Sequence, residues 1–221
     1  MTALLFDFFG TLVDYSPGHT TQDFSGSHAL VPHLSYRGFL SALGDRFAAF
    51  ERRSDADDSE FSMDEVVADF LRTIGSTADP VLFAGTYLAE WQTGVRVPDG
   101  LTGLLEQLRR RHRLAIVSNT NDRSMVPGYL ADWGVAELFD TVVLSVDVGW
   151  RKPHPQIYRT ALERIGVPAG DAVFIGDSYV ADFQGPAAQG IAAYLIDPQA
   201  RAPVPAERRI SSIFDLPALL G

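Results

Sequence analysis

Five short, mainly apolar runs constrain this chain more than anything else in it. The first is Ala3-Leu4-Leu5-Phe6-Asp7-Phe8-Phe9, and the others cover 114–118, 141–145, 172–175 and 191–196. Runs of that length that do not alternate with polar residues read as strands buried on both faces, as in a parallel sheet. Helical stretches over 100–112, 123–133, 156–165 and 179–189 each precede one of the last four, and Gly134, Gly166 and Gly190 stand where three of those helices need a left-handed cap. The pattern predicts an α/β fold with a doubly wound parallel sheet.

Roughly a hundred residues separate the first run from the second, too many for one crossover helix. They carry helical patterns of their own at 36–53, 63–73 and 79–93, bounded by Pro17-Gly18 and Pro98-Asp99-Gly100. The expected organisation is therefore a core of residues 1–14 and 98–221, with an inserted α-helical cap domain at 15–97. Within the insertion, residues 15–35 read as a polar loop holding His19, His28 and His33, whose spacing matches no metal-ligand pattern. Phe39, Phe47, Phe50, Phe61, Phe70 and Trp91 read as core, and the acidic tract 55–60 as a solvated loop. Residues 197–209 read as a surface loop before a last helix at 213–220.

Composition narrows the function. The net charge is −10, from 28 acidic and 18 basic residues, which disfavours a nucleic-acid partner. There is no cysteine, so disulfides and thiolate chemistry are excluded. No apolar run approaches the ~20 residues of a membrane helix, and the first residues lack a secretory pattern, so the expected location is cytoplasmic with no membrane partner. Seventeen of the basic residues are arginine and one is lysine, Lys152. A solitary lysine suggests a place where a compact charge on a flexible stem is wanted rather than a planar fork.

In open α/β sheets ligands bind beyond the carboxyl ends of the strands. Asp7 with Gly10-Thr11, Ser118-Asn119, Lys152, and Asp177-Ser178 with Asp182 all fall there. Caps and turns explain several of these singly. Asp7 resists such an explanation, because a carboxylate inside a buried apolar run is costly unless paired.

In their order and spacing these segments resemble the haloacid dehalogenase superfamily. The resemblance lies in Phe6-Asp7-Phe8-Phe9-Gly10-Thr11-Leu12-Val13-Asp14, Ala115-Ile116-Val117-Ser118-Asn119, Lys152-Pro153-His154-Pro155-Gln156-Ile157-Tyr158 and Phe174-Ile175-Gly176-Asp177-Ser178. The insertion is similar to that family's helical cap of the first type. The resemblance implies a Rossmannoid core and a hydrolase in which Asp7 is the nucleophile. It implies Mg2+ held by Asp7, Asp177 and the carbonyl of Phe9, with Asp182 in support. Ser118, Asn119, Lys152, Gly10 and Thr11 would surround a small phosphorylated substrate.

One position departs from the family's phosphatases, which carry a second aspartate two residues after the nucleophile to protonate the leaving group. Here that residue is Phe9. Three readings remain open. The chain is a phosphohydrolase that takes its acid from elsewhere, with Asp14, His19 or another histidine of the 15–35 loop as candidates, or needs none. It is a metal-independent 2-haloacid dehalogenase, whose halide leaves without a proton and for which Arg37 would clamp the carboxylate. Or it is a binding protein with little activity. Asp177 and Asp182 weigh against the dehalogenase, since clustered carboxylates favour a cation.

Overall fold

The computed structural model describes residues 2–15 and 22–220; His19 and Pro17-Gly18 lie outside them. Ala3–Phe6 form strand β1, and all four side chains are buried, as a run apolar on both faces requires. The chain continues through β2 (Asp14–Tyr15), α1 (Ser25–Ala29), α2 (Tyr36–Asp57), α3 (Met63–Thr73) and α4 (Pro80–Gln92), then returns through β3 (Val95–Arg96), the partner of β2. Helices and strands alternate thereafter: α5 (Leu101–Arg109), β4 (Arg113–Ser118), α6 (Met125–Asp132), β5 (Thr141–Leu144), α7 (Ser145–Val148), α8 (Pro155–Ile165), β6 (Ala172–Gly176), α9 (Gly185–Ala188), β7 (Ala192–Ile196), β8 (Arg209–Ile210) and α10 (Leu216–Leu220).

The main sheet has the order β5-β4-β1-β6-β7-β8, and every neighbouring pair is parallel. β4 and β5 add to one side of β1 and the later strands to the other, so the order reverses at β1, where such sheets bind ligands. Ile157, Tyr158, Ala161 and Ile165 of α8 pack on Leu5, Ala115, Val117 and Phe174 of the sheet. Their spacing puts them on one face of the helix. Each large apolar side chain so buried contributes roughly 1.5–3 kcal/mol.

The chain divides into two units, Met1–Asp14 with Arg96–Gly221, and Tyr15–Val95. The second is held by aromatic contacts, with Phe39, Phe70 and Phe83 all within 6.2 Å of one another between ring centres. Its three longer helices begin at side-chain caps: Ser35 for α2, the Ser62/Glu65 capping box for α3, and Asp79 followed by Pro80 for α4.

Several sequence expectations change. β1 stops at Phe6, because the Phe8 carbonyl accepts the N–H groups of Leu12 (2.9 Å) and Val13 (3.1 Å), and Gly10 turns the chain at φ +83°. A sixth strand, β8, lies at the end of the stretch read as a surface loop. The helix expected over 179–189 is a π-helical turn (Tyr179–Gln184) followed by α9. Helix α2 runs on through Asp55, Ala56 and Asp57, which had read as loop, and ends where Asp58 adopts a left-handed conformation. Part of the 15–35 stretch is helical, as α1. Gly134, Gly166 and Gly190 all have positive φ, as their capping positions demand. Among the described residues no helix is long and apolar enough to cross a membrane.

Candidate functional site

Asp7 directly follows β1, and its N–H donates to the Ile175 carbonyl of β6 (2.9 Å), so its backbone stays in the sheet as its side chain passes beyond the strand end. Ser118 is the last residue of β4, Lys152 lies between α7 and α8, and Asp177 follows β6. Asp182 sits in the π-helical turn, which the Tyr158 hydroxyl fixes by donating to the Ala181 carbonyl.

These elements bring the predicted residues together. Lys152 Nζ, 4% exposed, donates to Asp7 Oδ1 and to Asp182 Oδ1, both at 2.7 Å. Asp7 Oδ2 accepts the Thr11 hydroxyl at 3.3 Å. Asp182 Oδ2 accepts the N–H of Ser178 (2.9 Å), so both of its oxygens are engaged. Asn119, expected to bind substrate, spends its side-chain amide on the backbone of Lys152. Its Oδ1 accepts the Lys152 N–H (2.7 Å) and its Nδ2 donates to the Lys152 carbonyl (3.0 Å). It positions the lysine. Neither that clamp nor the Lys152–Asp182 pair carries a signal in the sequence, since each joins residues about thirty positions apart.

Ser118 Oγ is buried and has no hydrogen-bond partner among the described residues. An unsatisfied buried hydroxyl costs about 1–3 kcal/mol, and such groups in a native fold call for a ligand or another function. Gly10 is required twice over: its φ suits glycine, and a Cβ there would collide with the Asp177 carboxylate. Phe9 is half-buried, its ring edge-on to Phe8 at 4.9 Å, and brings no ionisable group to the site.

The electrostatics follow from crowding. Burial raises the Asp7 carboxyl to about 7; Asp182 and Asp177 add to the rise and Lys152 opposes it. Burial and then Asp182 also raise Asp177. For Lys152, burial opposes the charge but Asp182 and Asp7 together outweigh it, so the ammonium persists. Oxygens of Asp7, Asp177 and Asp182 lie within 4.8 Å of one another. Three hard oxygen donors outnumbering one ammonium fit a divalent cation such as Mg2+.

The remaining candidates are described by their own surroundings. Arg37 is exposed in the first turn of α2, and Asp14 is exposed in β2. His28 Nε2 and His33 Nε2 meet the carbonyls of Leu34 (2.7 Å) and Ile74 (3.2 Å), which ties both to the backbone. Trp150 stacks on His154 at 4.0 Å, and His154 Nδ1 accepts the Gln156 N–H as the cap of α8.

A parallel sheet with an acid trio and a lysine beyond its strand ends defines a class of α/β hydrolase. The model of the haloacid dehalogenase-like hydrolases matches residues 1–190, and the chain belongs to that family. It is 38% identical over 137 residues to human haloacid dehalogenase-like hydrolase domain-containing protein 3, covering 58% of this chain and 52% of that protein. It is 31% identical over 128 residues to human N-acylneuraminate-9-phosphatase, covering 55% and 51%. The chain thus spans about half the length of these curated relatives. Among solved structures, 2-haloacid dehalogenase from Pseudomonas syringae pv. Tomato DC3000 superposes with a TM-score of 0.72 at 24% identity, over 100% of this chain and 98% of that one, a likeness of fold.

Proposed function

We propose that this hydrolase is a Mg2+-dependent phosphatase that cleaves a small phosphorylated metabolite through an aspartyl-phosphate on Asp7. The observation that carries the reading is the trio Asp7, Asp177 and Asp182 around one ammonium, an excess of negative charge that would repel a phosphate dianion unless a cation is held there. Asp7, Asp177 and the Phe9 carbonyl would hold Mg2+, supported by Asp182. When bound, Mg2+ supplies charge neutralisation to the phosphoryl oxygens. The relative named as a phosphatase supports the same reaction class.

A carboxylate oxygen of Asp7 attacks phosphorus and the ester oxygen departs with the bond pair. Lys152 and the Ser118 hydroxyl face the charge that builds on the phosphoryl oxygens. Asp182 and Asn119 hold Lys152 in register. Thr11 orients Asp7 from its second oxygen. Water then releases phosphate and restores the carboxylate. Phe9 protonates nothing, so leaving groups that tolerate departure as anions are favoured, as aryl esters are over alkyl ones. Residues 15–97 are its cap domain. The dehalogenase reading retains one observation, the aromatic Phe9, which suits halide departure.

Phosphate and chloride release are measured side by side, each with Mg2+ and with EDTA, from an aryl phosphate, alkyl phosphates and 2-chloropropionate. Mg2+-dependent phosphate release, faster from the aryl ester, is expected. EDTA-resistant chloride release would replace this reading with dehalogenation, and silence in every arm would favour a binding protein.

A further inference from the structure

Next to the acid trio, beyond the ends of β6 and β7, is a cavity of about 320 Å³. Asp177, Tyr179 and Asp197 line it, with Leu195, Gln199 and Arg201. Because Asp177 belongs to both, the cavity adjoins the phosphoryl site.

The loop that carries Gln199 and Arg201 is firmly built. Asp197, 9% exposed, accepts the N–H of Arg201 on Oδ1 and the N–H of Ala202 on Oδ2, both at 3.0 Å. Arg209 of β8 donates Nε to the same carboxylate (3.2 Å) and a terminal nitrogen to the carbonyls of Ala202 (2.8 Å) and Val204 (3.0 Å). Those backbone donors, joined by Arg209, hold the Asp197 carboxyl below its ordinary range. Within the loop Ala200 takes φ +51°, a conformation L-residues with a side chain rarely adopt unless their surroundings fix it. The charge of Asp197 is thus committed to Arg209 and to the loop backbone. Arg201 differs: its backbone is pinned, while its side chain is exposed at the cavity's edge and its guanidinium has no carboxylate partner among the described residues. A guanidinium free of carboxylates at a partly apolar cavity that Tyr179 also lines can take an oxyanion carried on an organic framework.

The geometry points to this cavity as the seat of the substrate's non-reacting end, where Arg201 reads a second oxyanion, so the substrates are phosphomonoesters bearing a carboxylate or a like group. The proposal rests on the phosphatase reading of the adjoining site. Arg201 is a specificity residue in it: it touches the substrate remote from the bond that breaks, and its contribution falls in KM.

The protein and its Arg201→Ala, Arg201→Lys and Arg201→Glu variants are assayed in Mg2+ with 4-carboxyphenyl phosphate, its methyl ester and the 4-aminomethyl analogue. A sulfonate analogue separates tetrahedral from planar oxyanions. The parent is expected to favour the carboxylate over the methyl ester by about tenfold in kcat/KM, through KM. Arg201→Ala abolishes the preference, Arg201→Lys retains part of it, and Arg201→Glu transfers it to the ammonium-bearing ester. A parent without preference, or an Arg201→Ala variant that slows all esters alike and leaves their ratio intact, overturns the proposal. Calorimetry with 4-carboxyphenylphosphonate and its methyl ester separates the two readings. Tighter binding of the carboxylate that depends on Arg201, with no turnover of any ester, keeps the pocket and removes the phosphatase. Turnover with equal binding removes the pocket alone, and equal binding without turnover removes both.

Discussion

Glu90 in the inserted unit and Asp7 in the sheet unit are both carboxylates drawn away from bulk water, and their partners differ in kind. Glu90 reaches from α4 to the start of α1, where Oε1 accepts the N–H of Gly26 (2.6 Å) and Oε2 accepts the N–H (3.1 Å) and hydroxyl (2.5 Å) of Ser27. Its donors are neutral groups of the same unit. Asp7 faces one ammonium and two further carboxylates, with the unsatisfied hydroxyl of Ser118 also at the carboxyl ends of the strands. The first arrangement is complete as it stands and ties two helices together. On the proposed reading the second is complete only when a cation and an oxyanion arrive, which is how a binding site differs from a structural contact of similar polarity.

Substitutions at the two carboxylates sharpen that contrast. Asp7→Asn is expected to lower phosphate release by about 10⁴ or more, since no other nucleophile takes its place. Its melting temperature in EDTA should hold or rise, because a repelling charge is gone and Lys152 keeps Asp182. Turnover comparable to the parent would remove Asp7 from its role. Phe9→Asp should raise alkyl phosphate hydrolysis by roughly 10²-fold or more, the usual scale of general acid catalysis. If the rate stays flat, another residue already supplies the proton. Glu90→Ala should cost about 1–3 kcal/mol in urea unfolding, because it strands three donors. An unchanged midpoint would mean water satisfies them equally well.

Smaller effects come from protons and from Thr11. The folded-state value of Asp7 is raised from 3.8 to about 7, so between those limits the folded protein binds the extra proton. The cation-free protein therefore loses stability as pH rises from about 4 to about 7. Mg2+ must displace that proton, so its affinity should climb about tenfold per pH unit below 7 and level off above it. Calorimetric titration at pH 5.5, 6.5, 7.5 and 8.5 measures this, and a flat profile would dissociate Asp7 from the cation. Thr11→Val should slow turnover by a factor of about five or less, as expected for one neutral hydrogen bond of 3.3 Å. A hundredfold loss would give Thr11 a larger part.

Much of the sheet was legible because burial on both faces writes itself as mainly apolar runs. Asp7 was legible as the exception within one of them. β8 was not, since two residues carry no periodicity and its place is fixed by the clasp between Arg209 and Asp197. The acidic end of α2 misled because charge was taken for loop, whereas a solvated helix face accepts Asp55 and Asp57 readily. The π-helical turn escaped for a related reason: its register is set by Tyr158 from α8 and by the room Gly176 leaves for Asp182, and a Cβ at residue 176 would occupy that room. Strand-end residues could be listed from the sequence, while their division into those that face a ligand and those that brace Lys152 required the fold.

The lone lysine has a spectroscopic consequence. Growth on lysine labelled with ¹⁵N at its side chain gives a protein with a single ammonium resonance, that of Lys152, sheltered from exchange by its burial and its two carboxylate acceptors. The chemical shift of that one signal would follow the ionisation of Asp7, the arrival of Mg2+ and the formation of an acyl phosphate in turn. The molecule carries its own reporter at the centre of its chemistry, with no other lysine to obscure it.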